Sequence, residues 1–193
     1  MTYSTTICSK CGHSYQTEVC QSVNVQNSPE LKQQIVSGEF FMHKCPQCGN
    51  VQLVKFPFLY HDPSENLVIC MSDQEISAEG TDGLTARRVT SVGELIEKIK
   101  IFDEGLNDAI IEMCKFVTGK DLGVEASMRF LKTDGPDNEL IFTYPKNNDM
   151  EMISVGFHVY QECSGIVSRN PQMLASVKGL PKIDADWVKS FLA

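Results

Sequence analysis

Two Cys-x-x-Cys pairs, each followed by glycine, constrain this chain more than any other feature. They are Cys8-Ser9-Lys10-Cys11-Gly12 and Cys45-Pro46-Gln47-Cys48-Gly49. Each pair supplies two thiolates from one tight turn, and the glycine allows backbone N–H groups to approach the sulfur atoms. Two such turns joined by a sheet complete a closed tetrahedral site with four sulfur ligands. We therefore predict one structural Zn²⁺ ion, held by Cys8, Cys11, Cys45 and Cys48.

Other uses of paired cysteines fit the pattern less well. An iron–sulfur centre and a pair of disulfides remain alternatives to zinc, because cysteine side chains serve in those roles as well. A thioredoxin-like role for Cys45 and Cys48 requires a helix after the motif, but the residues from Val51 to Tyr60 have the composition of a strand. His13 and His43 flank the pairs, and we interpret them as surface or neighbouring groups because four thiolates already fill the site.

The remaining cysteines are isolated in the sequence. A disulfide scaffold is expected in short secreted chains, whereas this chain has 193 residues and no secretory segment at its N-terminus. Reduced thiols are the better expectation. We interpret the four isolated cysteines as small buried apolar residues: Cys20, Cys70, Cys114 and Cys163.

The net charge of -8 disfavours a general attraction to nucleic acid or to an anionic membrane. Residues 1–60 hold four basic and three acidic residues, and residues 61–193 hold 13 basic and 22 acidic residues. No stretch approaches the roughly 18 apolar residues that span a bilayer. We expect a cytoplasmic protein with no membrane partner.

The first part of the chain predicts a small antiparallel sheet around the cysteines, with a short helix inserted between the pairs. Ser28 as N-cap, Pro29 at the first helical position and Gly38 after the end predict a helix from Pro29 to Ser37. Two strands, one in the segment Phe56 to Pro63 and one from Leu67 to Met71, are predicted to complete the sheet, joined by a polar turn at Asp62 to Asn66. Residues 72–83 are polar and acidic, which indicates a connection.

The central part carries an apolar stripe from Val92 to Val117 with helical spacing. Ser91 and Glu94 form a capping box at its start. Gly105 could end one helix and Asn107 begin another, so that a single helix and a helix pair are both open.

Beyond Gly119 the pattern alternates and predicts an antiparallel meander. Its strands are expected at Glu125 to Lys132, Glu139 to Tyr144 and Met152 to Cys163. Helices should begin at Asn170-Pro171 and at Asp184, with Trp187, Val188, Phe191 and Leu192 closing over the meander. The predicted class is therefore α+β, divided into a zinc-ribbon module (1–75), a linker with the central amphipathic helix region (76–120) and a C-terminal α+β domain (121–193).

Several segments together resemble the bacterial CpXC domain family. They are the two cysteine pairs, Ser28-Pro29-Glu30-Leu31 with Gly38-Glu39, Leu59-Tyr60-His61-Asp62, Glu94 to Ile99 and Ile101 to Asp108. The resemblance covers about residues 5–118. Ser9 stands where the family has the proline that gives it its name, but all four sulfur atoms remain. The resemblance implies a bacterial zinc-binding module and supplies no substrate, activity or partner.

The function that we predict is that of a non-enzymatic interaction or regulatory module whose partner is a protein. A zinc ribbon that binds nucleic acid is the alternative, since Lys10 and Lys44 lie beside ligand cysteines and aromatic residues such as Tyr15 or Phe41 could stack on bases. An enzyme that uses His61 and Asp62 is a third hypothesis. The adjacent Arg87 and Arg88 could bind phosphate but fit a solvated or ion-paired face better. We predict no catalytic residue and leave the oligomeric state open.

Overall fold

The computed structural model of the protein describes residues 2–123 and 128–191. The chain divides into two compact units, Met1–Ile96 and Glu97–Ala193. Small sheets and a helix make up the first unit, and helices with an antiparallel sheet make up the second, so the predicted α+β class is confirmed. No helix in the described ranges combines the length and the apolar character that crossing a membrane requires.

The first unit contains three sheets. Its elements in chain order are β1 (Thr2–Ile7), β2 (Ser14–Val19), β3 (Ser22–Asn24), α1 (Pro29–Ser37), β4 (Met42–Lys44), β5 (Val51–Leu53), β6 (Phe58–Asp62), β7 (Leu67–Met71) and β8 (Thr85–Val89). β1 and β2 form one antiparallel hairpin, and β4 and β5 form another. The third sheet has the order β3-β6-β7-β8, with β6 and β7 antiparallel and the two outer pairs parallel.

The insertion between the cysteine pairs folds as predicted. α1 begins at Pro29 and ends at Ser37, and Gly38 follows with φ of 84°, a left-handed conformation that glycine adopts without strain. The Gly38 N–H donates to the Ile35 carbonyl at 3.0 Å, which closes the helix. Ser28 is the N-cap residue, but its side chain makes no capping hydrogen bond.

Aromatic side chains form the centre of the first unit. Phe41 lies 5.3 Å from Phe58 and 5.6 Å from Phe56, measured between ring centroids. Phe41 is 0% exposed and Tyr15 is 7% exposed. The suggestion that these two rings could stack on nucleic-acid bases is therefore wrong, because long-range packing buries both.

The central stripe is divided into two helices, α2 (Val92–Asp103) and α3 (Asp108–Leu122). Gly105 has φ of 67°, and the Asn107 side chain caps α3 by accepting from the N–H groups of Ala109 and Ile110. At the start of α2 the Ser91 hydroxyl accepts from the Glu94 N–H at 3.2 Å. The Glu94 carboxylate accepts from the N–H and hydroxyl of Thr90 instead of the Ser91 N–H, so only one of the two bonds of the predicted capping box forms.

The second unit contains a three-stranded meander with the order β11-β10-β9. The strands are β9 (Arg129–Asp134), β10 (Glu139–Lys146) and β11 (Asp149–Val155). Residues 125–127 of the first predicted strand lie outside the described residues. The third predicted strand is wrong beyond Val155, because α4 (Phe157–Arg169) begins after Gly156 and buries Cys163 and Val167 on one helical face.

The two short helices at the end of the chain begin where they were predicted. α5 (Pro171–Ser176) is capped by the Asn170 side chain, and α6 (Ala185–Lys189) by that of Asp184. Trp187, Val188 and Phe191 pack into the apolar cluster that also contains residues of the meander. Leu192 lies outside the described residues.

A buried charge network connects α2, α3 and β9 within the second unit. Lys98 is 2% exposed, and its Nζ lies 3.1 Å from Asp108 Oδ2 and 3.3 Å from Glu112 Oε1. Burial acts to lower the pKa of Lys98, but the surrounding carboxylates outweigh it and raise that pKa. Glu97 accepts from Lys115 and Arg129, each at 3.0 Å. Every charge in the network therefore has an opposite charge beside it.

The isolated cysteines differ in their surroundings. Cys114 and Cys163 are buried in the second unit, as predicted. Cys70 is partly exposed and Cys20 is exposed, so the interpretation of Cys20 as a buried apolar residue is wrong. Cys20 follows β2 in a connection to β3, and its thiol donates to the Ser22 carbonyl at 3.2 Å.

Candidate metal centre

The two cysteine turns have the same backbone geometry. In the first, the Cys8 N–H donates to the His13 carbonyl and the Gly12 N–H to the Cys8 carbonyl, both at 2.9 Å. In the second, Cys45 and Gly49 repeat these bonds at 2.8 and 3.0 Å. Gly12 and Gly49 have φ of 71° and 72°, which explains the glycine after each pair. Each turn connects the two strands of one hairpin.

The structure brings the two turns together. The sulfur atoms of Cys8, Cys11, Cys45 and Cys48 all lie within 4.8 Å of one another, and in the described residues no other group of His, Cys, Asp and Glu side chains converges in this way. Cys8 Sγ is 3.6 Å from Cys48 Sγ, and Cys11 Sγ is 3.8 Å from Cys45 Sγ. A Zn–S bond of about 2.3 Å in tetrahedral geometry separates the sulfur atoms by about 3.8 Å. The four thiols are therefore spaced to hold a metal ion.

The four thiols are free and do not form disulfide bonds. A disulfide requires an S–S distance of about 2.05 Å, whereas the separations between one turn and the other, 3.6 Å and 3.8 Å, are nearly twice that length. β5 follows the second turn after Gly49, so Cys45 and Cys48 do not precede a helix as a thioredoxin-like pair would. Cys8 and Cys45 are buried, whereas Cys11 and Cys48 are exposed.

The thiols strongly affect each other's ionisation. Donation from the Cys11 N–H, assisted by the Lys10 N–H and by neighbouring thiols, outweighs desolvation and lowers the pKa of Cys8 to about 6. At Cys11 the His13 N–H acts to lower the pKa, but desolvation and the other three thiols raise it to about 12. Without a cation, Cys8 thus gives up its proton more readily than Cys11 does. Four thiolates at this spacing require a cation to offset their charge.

Gln52 of β5 links the second hairpin to the first cysteine turn. Its Nε2 donates to the Ile7 carbonyl at 2.9 Å, and its Oε1 accepts from the Ser9 N–H at 2.7 Å and from Ser9 Oγ at 2.9 Å. A proline at position 9 would have no N–H to donate. Gln52 was not predicted as a functional residue from the sequence. Its one distinguishing feature is its position in β5, where it is less exposed than its neighbours Val51 and Leu53.

The two histidines near the turns are neighbours of the site and are not among the converging groups. The His13 ring stacks on Tyr15 with a centroid distance of 6.3 Å. A hydrogen bond of 2.8 Å joins His43 Nδ1 to Thr17 Oγ1, which ties the second hairpin to the first. Burial lowers the pKa of His43.

His61 and Asp62 have partners typical of structural residues. His61 Nδ1 lies 3.4 Å from Asn24 Nδ2. Asp62 is 2% exposed and accepts from Lys32 at 3.0 Å, from Tyr60 at 3.2 Å and from the Ser64 N–H and hydroxyl. Its carboxylate thus caps the turn after β6.

The arginine pair does not form a continuous basic surface. Arg87 is 4% exposed in β8, and its guanidinium donates to the Ala86 carbonyl at 2.8 Å. Arg88 is only partly exposed. The structure therefore separates the two side chains that were considered together as a phosphate site.

Comparison with known proteins identifies one family. The family model described as CpXC protein matches residues 6–115, which include both cysteine turns and the first half of α3. The search of curated proteins finds no match, and the search of solved structures finds none either. Because the matched region covers more than half of the chain, the protein belongs to the CpXC family.

Proposed function

We propose that the protein is a zinc-stabilised interaction module and that its metal centre is structural. The observation that carries the proposal is the convergence of four cysteine sulfurs within 4.8 Å at the junction of two hairpins. Thiolate ligands in a compact tetrahedral arrangement favour Zn²⁺, with an iron–sulfur centre as the competing occupant. Four protein ligands leave no open coordination position for a substrate, which supports a structural role.

The metal ion would hold a small pair of hairpins in one arrangement. β4 and β5 have three residues each, which is too short for a stable sheet without further support. Binding of a structural zinc ion contributes on the order of 10 kcal/mol to folding in small modules. The ordered hairpins would then present a fixed surface to a partner.

The outward face of β4 and β5 is our candidate for that surface. Cross-strand pairing places Met42 opposite Leu53 and Lys44 opposite Val51. The apolar members are 43% exposed for Met42, 55% for Val51 and 51% for Leu53. Apolar residues clustered on an exposed face often mark protein interaction sites. A protein partner is also favoured over nucleic acid, because Tyr15 and Phe41 are buried and the net charge is -8.

We further propose a cytoplasmic location in a bacterium. The site needs four reduced thiols, and all eight cysteines are free in the structure. Reduced thiols persist in the cytoplasm, whereas secreted proteins commonly form disulfides. The bacterial source is what the family resemblance implies.

The experiment is capture of partners on the tagged protein from a lysate of its own source, with one half of the lysate treated with nuclease. Two variants distinguish the role of the surface in partner binding from the role of the metal site. The Val51→Ser/Leu53→Ser double variant should keep the metal and lose the partner, and Cys45→Ser should lose both. A protein retained in both halves by the wild type and lost by both variants supports the proposal. Recovery that disappears with nuclease would instead favour nucleic-acid binding.

A further inference from the structure

Two buried polar atoms in the described residues have no hydrogen-bond partner, and both lie in the hairpins that carry the cysteines. They are the Tyr15 hydroxyl and His43 Nε2. An unsatisfied buried polar group costs about 1–3 kcal/mol, so native proteins keep few of them. Tyr15 packs directly against two of the cysteines, so its unpaired hydroxyl calls for an explanation in terms of that cluster.

The surroundings of Tyr15 indicate which atoms could accept a hydrogen bond from its hydroxyl. Tyr15 is 7% exposed and packs in one apolar cluster with Cys8 and Cys45. Its ring is held by stacking on His13, with the two rings inclined by 6°. Burial raises the pKa of Tyr15, and among the sulfurs Cys45 adds the largest contribution to that rise. The hydroxyl therefore keeps its proton and remains a donor.

A thiol and a metal-bound thiolate differ greatly as acceptors. A protonated sulfur accepts hydrogen bonds weakly, whereas a ligand thiolate carries negative charge that a donor can stabilise. Residues that hydrogen-bond to metal ligands orient them and tune the metal's affinity. The Tyr15 hydroxyl, packed against Cys8 and Cys45 and without a hydrogen-bond partner in the structure, would therefore gain a stronger acceptor when these sulfurs are metal ligands.

We infer that Tyr15 is a positioning residue for the metal centre, and that its hydroxyl donates a hydrogen bond to a metal-bound thiolate of the cluster with which it packs, Cys8 or Cys45. The inference rests on the proposed zinc function. It predicts effects of opposite sign in the two states of the protein. Removing the hydroxyl should weaken the metal-loaded protein, where the bond exists, and should leave the metal-free protein unchanged or more stable, where the hydroxyl has no partner.

The second orphaned atom provides the competing explanation. His43 Nδ1 is bonded to Thr17, which lies two residues from Tyr15 on the same face of β2. One water molecule could satisfy both the Tyr15 hydroxyl and His43 Nε2, because a polar gap between hairpins can hold ordered water. In that case the hydroxyl would not contact sulfur, and its removal would affect both states of the protein alike.

The test compares Tyr15→Phe with Tyr3→Phe, a control at a position that is 58% exposed. Phenylalanine keeps the ring and its packing. Zinc affinity is measured by competition with a chelator, the sulfur-to-metal charge-transfer bands are recorded with Co²⁺, and stability of the metal-free proteins is measured in urea. We expect a 10–100-fold loss of zinc affinity in Tyr15→Phe, in the range found for groups that support metal ligands. The charge-transfer bands should shift to longer wavelength, with no loss of metal-free stability.

Three results would overturn the inference. Unchanged affinity and bands would show that the hydroxyl does not contact a ligand sulfur. Equal destabilisation of the metal-free and metal-loaded forms, with unchanged bands, would indicate the water-bridged arrangement. If wild type and Tyr3→Phe bound neither Zn²⁺ nor Co²⁺, the zinc function itself would fail and the role of Tyr15 with it. That outcome is distinguishable because the wild type itself then fails to bind metal, whereas the other two outcomes require metal binding by the wild type.

Discussion

Gln52→Ala tests whether the link between the two hairpins supports the metal centre. The Gln52 side chain makes three hydrogen bonds to Ile7 and Ser9, with distances of 2.7 to 2.9 Å. Each contributes about 0.5–1.5 kcal/mol net, and values near the lower limit apply because these bonds are accessible to water. Together they stabilise the paired turns by about 1.5 kcal/mol. If the link forms only when both turns are ordered by metal, zinc affinity should fall about tenfold.

The assay is chelator competition on wild type, Gln52→Ala and the control Gln16→Ala, which changes an exposed residue of β2. Ser9→Ala keeps the backbone N–H and should lose less affinity than Gln52→Ala. The double variant should lose little more than Gln52→Ala alone, because the two residues share one interaction. Wild-type affinity in Gln52→Ala, or fully additive losses in the double variant, would refute the reasoning.

Two further predictions concern groups outside the metal centre. Lys98→Met should lower the free energy of unfolding by about 3–5 kcal/mol, because it removes the buried ammonium shared by Asp108 and Glu112; urea denaturation measures this. Asp62→Asn should cost about 1–3 kcal/mol at pH 7. Burial opposes ionisation of Asp62, but hydrogen bonds from Ser64 and Lys32 lower its pKa below the ordinary value. Its contribution is therefore present above the unfolded-state pKa of about 3.9 and is lost as the pH falls through the lower folded-state value, so the two proteins should converge in acid.

Features encoded by short stretches of sequence could be predicted. The turn at each cysteine pair, α1 with its proline and glycine, and the caps at Asn170 and Asp184 depend on neighbours within a few residues. The break at Gly105 was visible as a choice between one helix and two. The feature that divides the stripe into two helices is also local, because the Asn107 side chain caps the start of α3.

Features that depend on distant residues could not be predicted. The burial of Tyr15 and Phe41 results from packing between elements, and composition alone suggested exposed rings. Gln52 accepts a hydrogen bond from Ser9, which lies 43 residues away in the sequence, and Glu97 accepts one from Arg129, which lies 32 residues away. The third meander strand was predicted to extend too far. At Gly156 an alternating stretch, typical of a strand, gives way to apolar residues spaced by three and four, typical of a helix. Only the packing of these residues as α4 shows where the strand ends and the helix begins.

The most direct test of the central claim is the metal content of protein purified without added metal, measured by elemental analysis and by native mass spectrometry. We predict one zinc ion per chain in the wild type. Cys45→Ser should contain none and should lose the thermal stability of at least residues 1–60, because the turns then lack the ion that orders them. An absence of metal, an iron–sulfur cluster, or one zinc ion retained by Cys45→Ser with unchanged stability would contradict the account.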